Sequence, residues 1–284
     1  GSFSPDPGIV TRQIDEGIKR LRSGRKYCGE RYIAYFQSYS NTYAPVSYLR
    51  SLYQEALTHP QTAALSIATR PDCFSPEIYE LLSDCLGDDV IALLKRLNQI
   101  KPVWVELGLQ TMHDSTACII HRGYPLSCFD ATVRELRRRG IPVIVHVILG
   151  LPGEDHHQML QTIRYLNETG ISGIKLQLLH ILKGTALAED FEKGTITPLT
   201  KDEYIAILLD CIAHLSPDIV IHRITGDGPK DLLLAPAWSM KKREILNTIM
   251  HQMKVQHLYQ GCQINETGQR QHFSCPVHEK EAPL

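Results

Sequence analysis

The chain has 284 residues, of which 43% are hydrophobic and 21% are charged, a composition typical of a soluble globular protein with a sizeable core. Its 30 basic and 31 acidic side chains give a formal net charge of -1, which excludes a general attraction to nucleic acid or to an anionic membrane. No apolar run of about 18 residues occurs, and no charged segment leads into an apolar core at the N-terminus. We therefore expect no membrane span, no signal peptide and a cytoplasmic location.

Short β-rich runs alternate with longer helical patterns between residues 9 and 225, which predicts repeated β/α units around a parallel sheet. The predicted strands are Arg31–Gln37, Leu65–Thr69, Val103–Leu107, Pro142–Ile148, Ile174–His180 and Ile219–Arg223. The predicted helices are Gly8–Arg22, Ser47–Leu57, Pro76–Asn98 with a break at Gly87, Ser127–Arg139, Asp155–Glu168, Lys201–Leu215 and Met240–Leu258. We expect three parts: a barrel core over 1–225, a C-terminal helical extension packed on it over 226–260, and a mobile tail over 261–284.

Polar side chains interrupt four consecutive predicted strands. They are Glu106, His146, Lys175, Gln177 and His222. Lys175 and Gln177 are two residues apart, so both point to the same side of their strand. Any one of these residues can be explained as a satisfied core histidine or a strand-end ion pair. Because branched apolar side chains normally fill a closed eight-stranded barrel, the set together favours an incomplete β/α barrel, similar to a TIM barrel, with a polar cavity.

Ligands of parallel β/α folds bind at the carboxyl ends of the strands, so the loops that follow the strands are informative. Residues 37–43, after the first strand, carry many hydroxyl and amide groups and suit a polar small molecule. Asn41 and Thr42 could instead cap the next helix. In the second loop, Arg70 could hold a carboxylate or pair with Asp72.

The later loops add further candidates. Glu106 and Gln110 flank a glycine after the third strand and offer a carboxylate and an amide to hydroxyl or amino groups of a ligand. Gly150 and Gly153 lie in a turn after the fourth strand that would let the backbone approach a ligand, or would only connect a strand to a helix. Asp227 lies in a glycine-rich turn after the last strand.

Six segments carry a resemblance to a known family: FQSYSNTYAP, IATRPDC, WVELGLQT, HVILGLPGE, LQLLHILKGT and HRITGDGP. In this order they resemble the radical S-adenosylmethionine (radical SAM) superfamily. Within it they are most similar to Fe-S oxidoreductases of the YhcC type, which are related to the Elongator catalytic subunit. The resemblance extends from about Phe3 to Leu258.

The resemblance implies an incomplete β/α barrel in which three cysteines bind a 4Fe-4S cluster and S-adenosylmethionine (SAM) binds the unique iron. Reductive cleavage of SAM would give a 5′-deoxyadenosyl radical that abstracts hydrogen from an unknown substrate, either a small molecule or RNA. An electron donor such as flavodoxin or ferredoxin is implied as a partner. The implied cofactor contacts are Gln37, Asn41, Arg70, Glu106, Gln110, Gly150 and Gly153. The implied substrate side comprises His146, Lys175, Gln177, His222, Arg223 and Asp227.

The cysteines depart from the family pattern. None of the eight forms a CxxxCxxC motif, and the closest two, Cys118 and Cys128, are ten residues apart. We therefore assign no metal ligand in this chain and expect the cluster cysteines and the first strand upstream of Gly1. On this interpretation the chain alone is inactive. The alternative is a barrel without a cluster that binds RNA or a nucleotide.

Two further sets of residues leave their interpretation open. The first set could form a zinc or auxiliary iron site, or its members could simply lie on a helix surface and in the tail. It comprises His251, His257, Cys262, His272, Cys275 and His278. RNA binding, or solvated helix faces, would explain Lys19, Arg20, Arg22, Arg25, Lys26, Arg134, Arg137, Arg138 and Arg139.

Overall fold

The computed structural model describes residues 9–24, 29–74, 89–226 and 228–264. Six parallel strands form one sheet: β1 (Tyr32–Phe36), β2 (Thr62–Thr69), β3 (Val103–Gln110), β4 (Val143–Leu149), β5 (Gly173–Leu178) and β7 (Val220–Arg223). They lie side by side in that order. Two short strands, β6 (Ile181–Leu182) and β8 (Leu233–Ala235), form a separate antiparallel pair. The sheet is an incomplete β/α barrel, as the sequence predicted.

One described helix precedes the first strand, and the others lie between and after the strands. In chain order the helices are α1 (Val10–Arg22), α2 (Val46–Thr58), α3 (Val90–Asn98), α4 (Asp114–Ile119), α5 (Leu126–Arg138), α6 (His156–Thr169), α7 (Ala186–Glu192), α8 (Lys201–His214) and α9 (Lys242–Val255). The six predicted strands are all present, with ends displaced by at most three residues. The predicted helix Pro76–Asn98 is observed only as α3, because residues 75–88 lie outside the described part. The sequence did not predict α4, α7 or the β6–β8 pair.

Alternation along the strands separates the apolar core from the barrel interior. In β3, Val103, Val105 and Leu107 are fully buried and belong to the main apolar core. Residues between them, such as Glu106, point to the opposite side. That side is the interior of the barrel, and it holds the polar network described below.

Local sequence signals fix both ends of α6 and the start of α8, two of the three longest described helices. Asp155 and Thr200 each accept a hydrogen bond from the backbone at the third helical residue and complete a capping box at the starts of α6 and α8. Gly170 ends α6 with a φ of 70°, a conformation that favours glycine. The long helices therefore begin and end where the sequence places their caps.

The chain after β7 packs back onto the barrel. The indole Nε1 of Trp238 donates to the carbonyl of Leu199 at 3.1 Å, and its ring lies 5.5 Å from that of Tyr204. Ile245 and Ile249 on α9 are buried in the main core. The predicted division into core, extension and tail stays a prediction, and residues 265–284 of the tail lie outside the described part.

Candidate active site

Glu106 is the centre of a buried network inside the barrel. Its side chain is 4% exposed and accepts hydrogen bonds from donors on four other strands. The donors are the Tyr35 hydroxyl at 2.9 Å, the Ser66 hydroxyl at 2.6 Å, His146 Nε2 at 2.6 Å and the Lys175 ammonium. Glu106 thus occupies the middle of β3 and is held by protein groups on both of its oxygens.

Contacts on both ring nitrogens orient the histidine of the network. A carboxylate can only accept, so His146 Nε2 donates to Glu106. His146 Nδ1 then accepts from the Gln177 amide at 3.3 Å. Lys175 is also 3.3 Å from the Tyr35 hydroxyl and lies over the Tyr35 ring, 4.5 Å from its centroid. Four of the polar positions predicted from strand alternation therefore share one side of the sheet.

Burial and hydrogen bonding act in opposite directions on the network. Burial by itself would raise the pKa of Glu106, but the hydrogen bonds from His146, Lys175 and Ser66 outweigh it and hold the pKa well below its usual range. Burial lowers the pKa of Lys175, and the charge of Arg223 lowers it further, while Glu106 opposes both effects. Glu106 is therefore a stable carboxylate throughout the neutral pH range.

The last strand departs from regular alternation. Its register against β5 shifts after Ile174, so that Lys175 pairs with Arg223 and His222 is the extra residue. A Cβ added to Gly173 would lie 2.7 Å from the His222 ring, which places that ring over the interior side of β5. A bulge lets two neighbouring side chains share a side of the sheet. His222 and Arg223, both predicted on the substrate side, therefore both face the interior.

At the end of β3, a buried arginine holds the loop that carries Gln110. Arg122, with a side chain 2% exposed, donates to the carbonyls of Leu109 at 3.1 Å and Thr111 at 2.7 Å, on either side of Gln110. It also donates to Asp114 at 2.6 Å and to the Tyr124 carbonyl at 3.0 Å. Gln110 itself has a φ of 68°, which is a strained conformation for a residue with a side chain.

Gly108 makes room for the Gln110 side chain. A Cβ added to Gly108 would lie 2.8 Å from the Gln110 amide nitrogen, so that amide lies directly over the glycine. The Tyr124 hydroxyl donates to the Gly108 carbonyl. The backbone on both sides of Gln110 is therefore held by Arg122 and Tyr124, and we call these two residues the Gln110 clamp.

Arg70, in the loop after β2, contacts Tyr124 of the clamp. Its guanidinium pairs with Asp72 through bonds of 2.9 and 2.6 Å and lies 5.3 Å from the centroid of the Tyr124 ring. Arg122 lies over the same ring at 4.9 Å. Of the two alternatives for Arg70, the structure shows the pairing with Asp72.

The loop after β1 is held rigidly by Asn41. Its amide nitrogen donates to the carbonyls of Phe36 at 3.0 Å and Ala68 at 2.8 Å, which ties the ends of β1 and β2 together. It does not cap α2, since the N-cap residue of that helix is Pro45 and no side chain caps it. Gln37 is exposed just beyond β1. Tyr39 and Tyr43 are 89% and 81% exposed on the same loop.

The turn after β4 has its glycines in the left-handed region. Gly150 and Gly153 have φ values of 83° and 81°. The Gly150 N–H donates to the Met159 sulfur at 3.1 Å, and a Cβ at Gly150 would lie 2.9 Å from the Leu199 side chain. The absence of a side chain at Gly150 is thus explained by packing inside the protein.

Replacing Gly150 with alanine should destabilise the fold by about 2–4 kcal/mol, because backbone strain of about 1–3 kcal/mol adds to overpacking against Leu199. Gly140→Ala is the matched control, since Gly140 has a φ of 71° and no atom within 4 Å of an added Cβ. Urea unfolding of both variants measures the difference. Equal losses in the two would show that the contact with Leu199 costs nothing.

Gly226, which follows β7, lies near His180 and Gln177. A Cβ at Gly226 would lie 3.1 Å from the His180 ring and 3.9 Å from the Gln177 amide oxygen. Asp227, predicted on the substrate side, lies outside the described residues. The turn therefore approaches Gln177, which bonds His146.

The described thiols do not form a cluster site. They are Cys73, Cys118, Cys128, Cys211 and Cys262. Cys211 is buried in the apolar core, where burial raises its thiol pKa to about 12. Within the described residues no group of three histidine, cysteine or acidic side chains is arranged to hold a metal ion. Three residues of the C-terminal set, His272, Cys275 and His278, lie outside that part. The described residues therefore do not fit a 4Fe-4S cluster.

Three of the predicted basic groups are engaged within the protein, whereas Arg25 and Lys26 lie outside the described residues. Arg137 donates to the Thr169 carbonyl at 2.9 Å, while Arg138 and Arg139 both bond Glu135. These arginines lie at or just beyond the C-terminus of α5, where positive charge stabilises the helix. None of the described helices is both long and apolar enough to cross a membrane.

Sequence reasoning missed four members of the site. Ser66 carries the same signal as Glu106, a polar side chain inside an apolar strand, and could have been found. Tyrosine is common in β-strands, so Tyr35 gave no signal of a polar interior position. Arg122 and Tyr124 come after α4, and their contacts with β3 depend on a helix that the pattern did not show.

The fold is that of a known class. The sequence matches the family model described as "Radical SAM superfamily" over residues 4–166 and the model described as "Radical_SAM C-terminal domain" over residues 171–255. The chain belongs to the radical SAM superfamily.

Individual relatives are similar over most of the chain. It is 40% identical to "Uncharacterized protein YtqA" of Bacillus subtilis over 240 residues, which cover 84% of this chain and 71% of that protein. It is 40% identical to "Protein YhcC" of Escherichia coli over 209 residues, 74% of this chain and 64% of that protein. The structure of Elp3 from Methanocaldococcus infernus with an N-terminal deletion matches with a TM-score of 0.67 at 16% identity, over 88% of this chain and 59% of that one. This structural likeness shows the fold.

Proposed function

We propose that this chain is the barrel of a radical SAM enzyme that binds SAM at the carboxyl ends of its strands and receives a second substrate in the barrel interior. The observation that carries the proposal is the polar network around Glu106, which joins five strands on their interior side. A barrel interior without a ligand would normally be filled by branched apolar side chains.

The donor set at the strand ends suits SAM. Gln37 and Gln110 offer amides for ribose hydroxyls and for the amino-acid part of the ligand. Gly153 allows backbone groups in its turn to approach closely. Asn41 and Arg70 are engaged within the protein, so we assign them to holding their loops. Glu106 orients His146 and Lys175 toward the substrate side.

In this superfamily a 4Fe-4S cluster supplies the electron that cleaves SAM to methionine and a 5′-deoxyadenosyl radical. We place its cysteine ligands in a part of the native protein outside these 284 residues. Among the described residues β1 pairs only with β2, so one edge of β1 is open to a further strand. An external reductant such as flavodoxin or ferredoxin would supply the electron.

The complete native reading frame, reconstituted anaerobically with iron and sulfide, should hold about four irons and release 5′-deoxyadenosine from SAM under a strong reductant. This 284-residue chain is the control and should do neither. The measurement is iron per chain together with deoxyadenosine by chromatography. A stable cluster on the short chain would contradict our placement of the ligands, and no deoxyadenosine from the long form would refute the proposed function.

A second candidate is a barrel that binds a nucleotide or RNA without radical chemistry. The exposed rings of Tyr39 and Tyr43 favour it, because aromatic side chains on a rigid loop stack on nucleobases. A complete reading frame that binds neither iron nor SAM but does bind adenine nucleotides would support this candidate.

A further inference from the structure

Among the described strand residues, the side chains that face the barrel interior carry more positive than negative charge. Among the strand residues of the described part that face the interior, Glu106 is the one carboxylate, whereas Lys175 and Arg223 are both cations. Both oxygens of Glu106 are already occupied by its donors. Two cations against one carboxylate leave an excess of one positive charge.

Arg223 is the cation that this balance leaves uncompensated. The register shift in β7 pairs it with Lys175, on the interior side. Its charge lowers the pKa of both Lys175 and Tyr35, and Arg223 is itself exposed to solvent at the end of β7. Within the described residues no hydrogen bond or ion pair joins the guanidinium to another side chain. An anion between the two cations would relieve their mutual repulsion.

We infer that the substrate of this enzyme carries an oxyanion, a phosphate or a carboxylate, which Arg223 and Lys175 bind inside the barrel. This inference rests on the proposed function and adds the chemical class of the substrate. A guanidinium offers two parallel N–H donors that match the two oxygens of such a group. His222, the extra residue of the bulge, is available beside Gly173 as a further polar contact.

The test is calorimetric titration of the cluster-free 284-residue chain with sodium phosphate and, separately, with sodium acetate, at constant ionic strength. We expect saturable binding of at least one anion. Arg223→Gln should weaken it at least tenfold, and Arg223→Lys by about threefold or less. Arg164→Gln, which removes an exposed arginine from α6, should bind as the unchanged protein does.

Two results would overturn the inference: binding of neither anion, or equal binding by Arg223→Gln and the unchanged chain. A second titration separates substrate from cofactor, because the carboxylate of SAM is also an oxyanion. If Arg223→Gln weakens S-adenosylhomocysteine at least tenfold but leaves 5′-methylthioadenosine unchanged, Arg223 holds the cofactor and the inference fails. These titrations need no cluster, so failure of SAM cleavage by the complete protein would refute the proposed function separately.

Discussion

Replacing Glu106 with glutamine should destabilise the protein by about 3–5 kcal/mol, because it leaves the Lys175 ammonium buried without its counter-charge. The amide also presents N–H groups to a site built from donors, so at least one of the Ser66 and His146 bonds is lost. The free energy of unfolding from urea titration measures the effect.

Glu135→Gln is the matched control for this substitution. Glu135 also accepts from several donors, Arg138 and Arg139, but on the protein surface. Exposed ion pairs contribute about 0–1 kcal/mol, so the control should lose no more than that. Adding Lys175→Met to Glu106→Gln should recover part of the loss, since it removes the uncompensated charge. A loss below about 1 kcal/mol in Glu106→Gln would contradict the role of Glu106 as the centre of the network.

The same variant has a defined pH dependence. The pKa of Glu106 is lowered in the folded protein, so its stabilisation is complete above the unfolded carboxyl pKa of about 4.3. The stabilisation is lost as the pH falls from that value through the folded pKa. The difference in stability between the unchanged protein and Glu106→Gln should therefore be constant near neutrality and shrink below about pH 4.

Arg122→Met should cost about 3–5 kcal/mol, since it leaves the carbonyls of Leu109, Thr111 and Tyr124 without their shared buried donor. Arg70→Met is the matched control, because Arg70 lies on the same Tyr124 ring but is 45% exposed. It should cost less than about 1 kcal/mol. Comparable losses in the two variants would show that the bonds of Arg122 are not what stabilises the clamp.

A functional readout separates positioning from stability. If Arg122 acts by holding Gln110, then Arg122→Met should weaken SAM binding by the complete protein at least tenfold at a temperature where the variant is folded. In a Gln110→Gly background the same substitution should have little further effect on SAM affinity, because glycine accepts the backbone conformation without restraint. Additive losses would mean that Arg122 acts on SAM by another route.

Alternation along single strands predicted much of this fold and site. A charged residue in an apolar run, as at Glu106, His146 and Lys175, identifies the interior side without knowledge of the neighbouring strands. Local propensity placed the six strands of the sheet correctly, and capping signals such as Thr200 placed the start of α8. These features depend only on residues close together in the chain.

The remaining features depend on contacts between distant segments. The contact between Tyr35 and Glu106 joins residues 71 positions apart, and that between Lys175 and Tyr35 joins residues 140 apart. The left-handed conformation of Gln110 has no signal of its own, because the restraint comes from Arg122, beyond a short helix. Likewise, no local pattern shows that Arg70 pairs with Asp72 instead of a ligand.

The bulge in β7 has a consequence for how relatives of this protein could diverge. Because His222 is the extra residue, deleting it would restore regular pairing, with Ile221 opposite Ile174 and Arg223 still opposite Lys175 on the interior side. A single-codon deletion would thus remove one imidazole from the interior and keep the Arg223 charge there, while leaving the Glu106 network, the clamp and the helical layer intact. Substrate range within such a fold can therefore change by an insertion or deletion in one short strand.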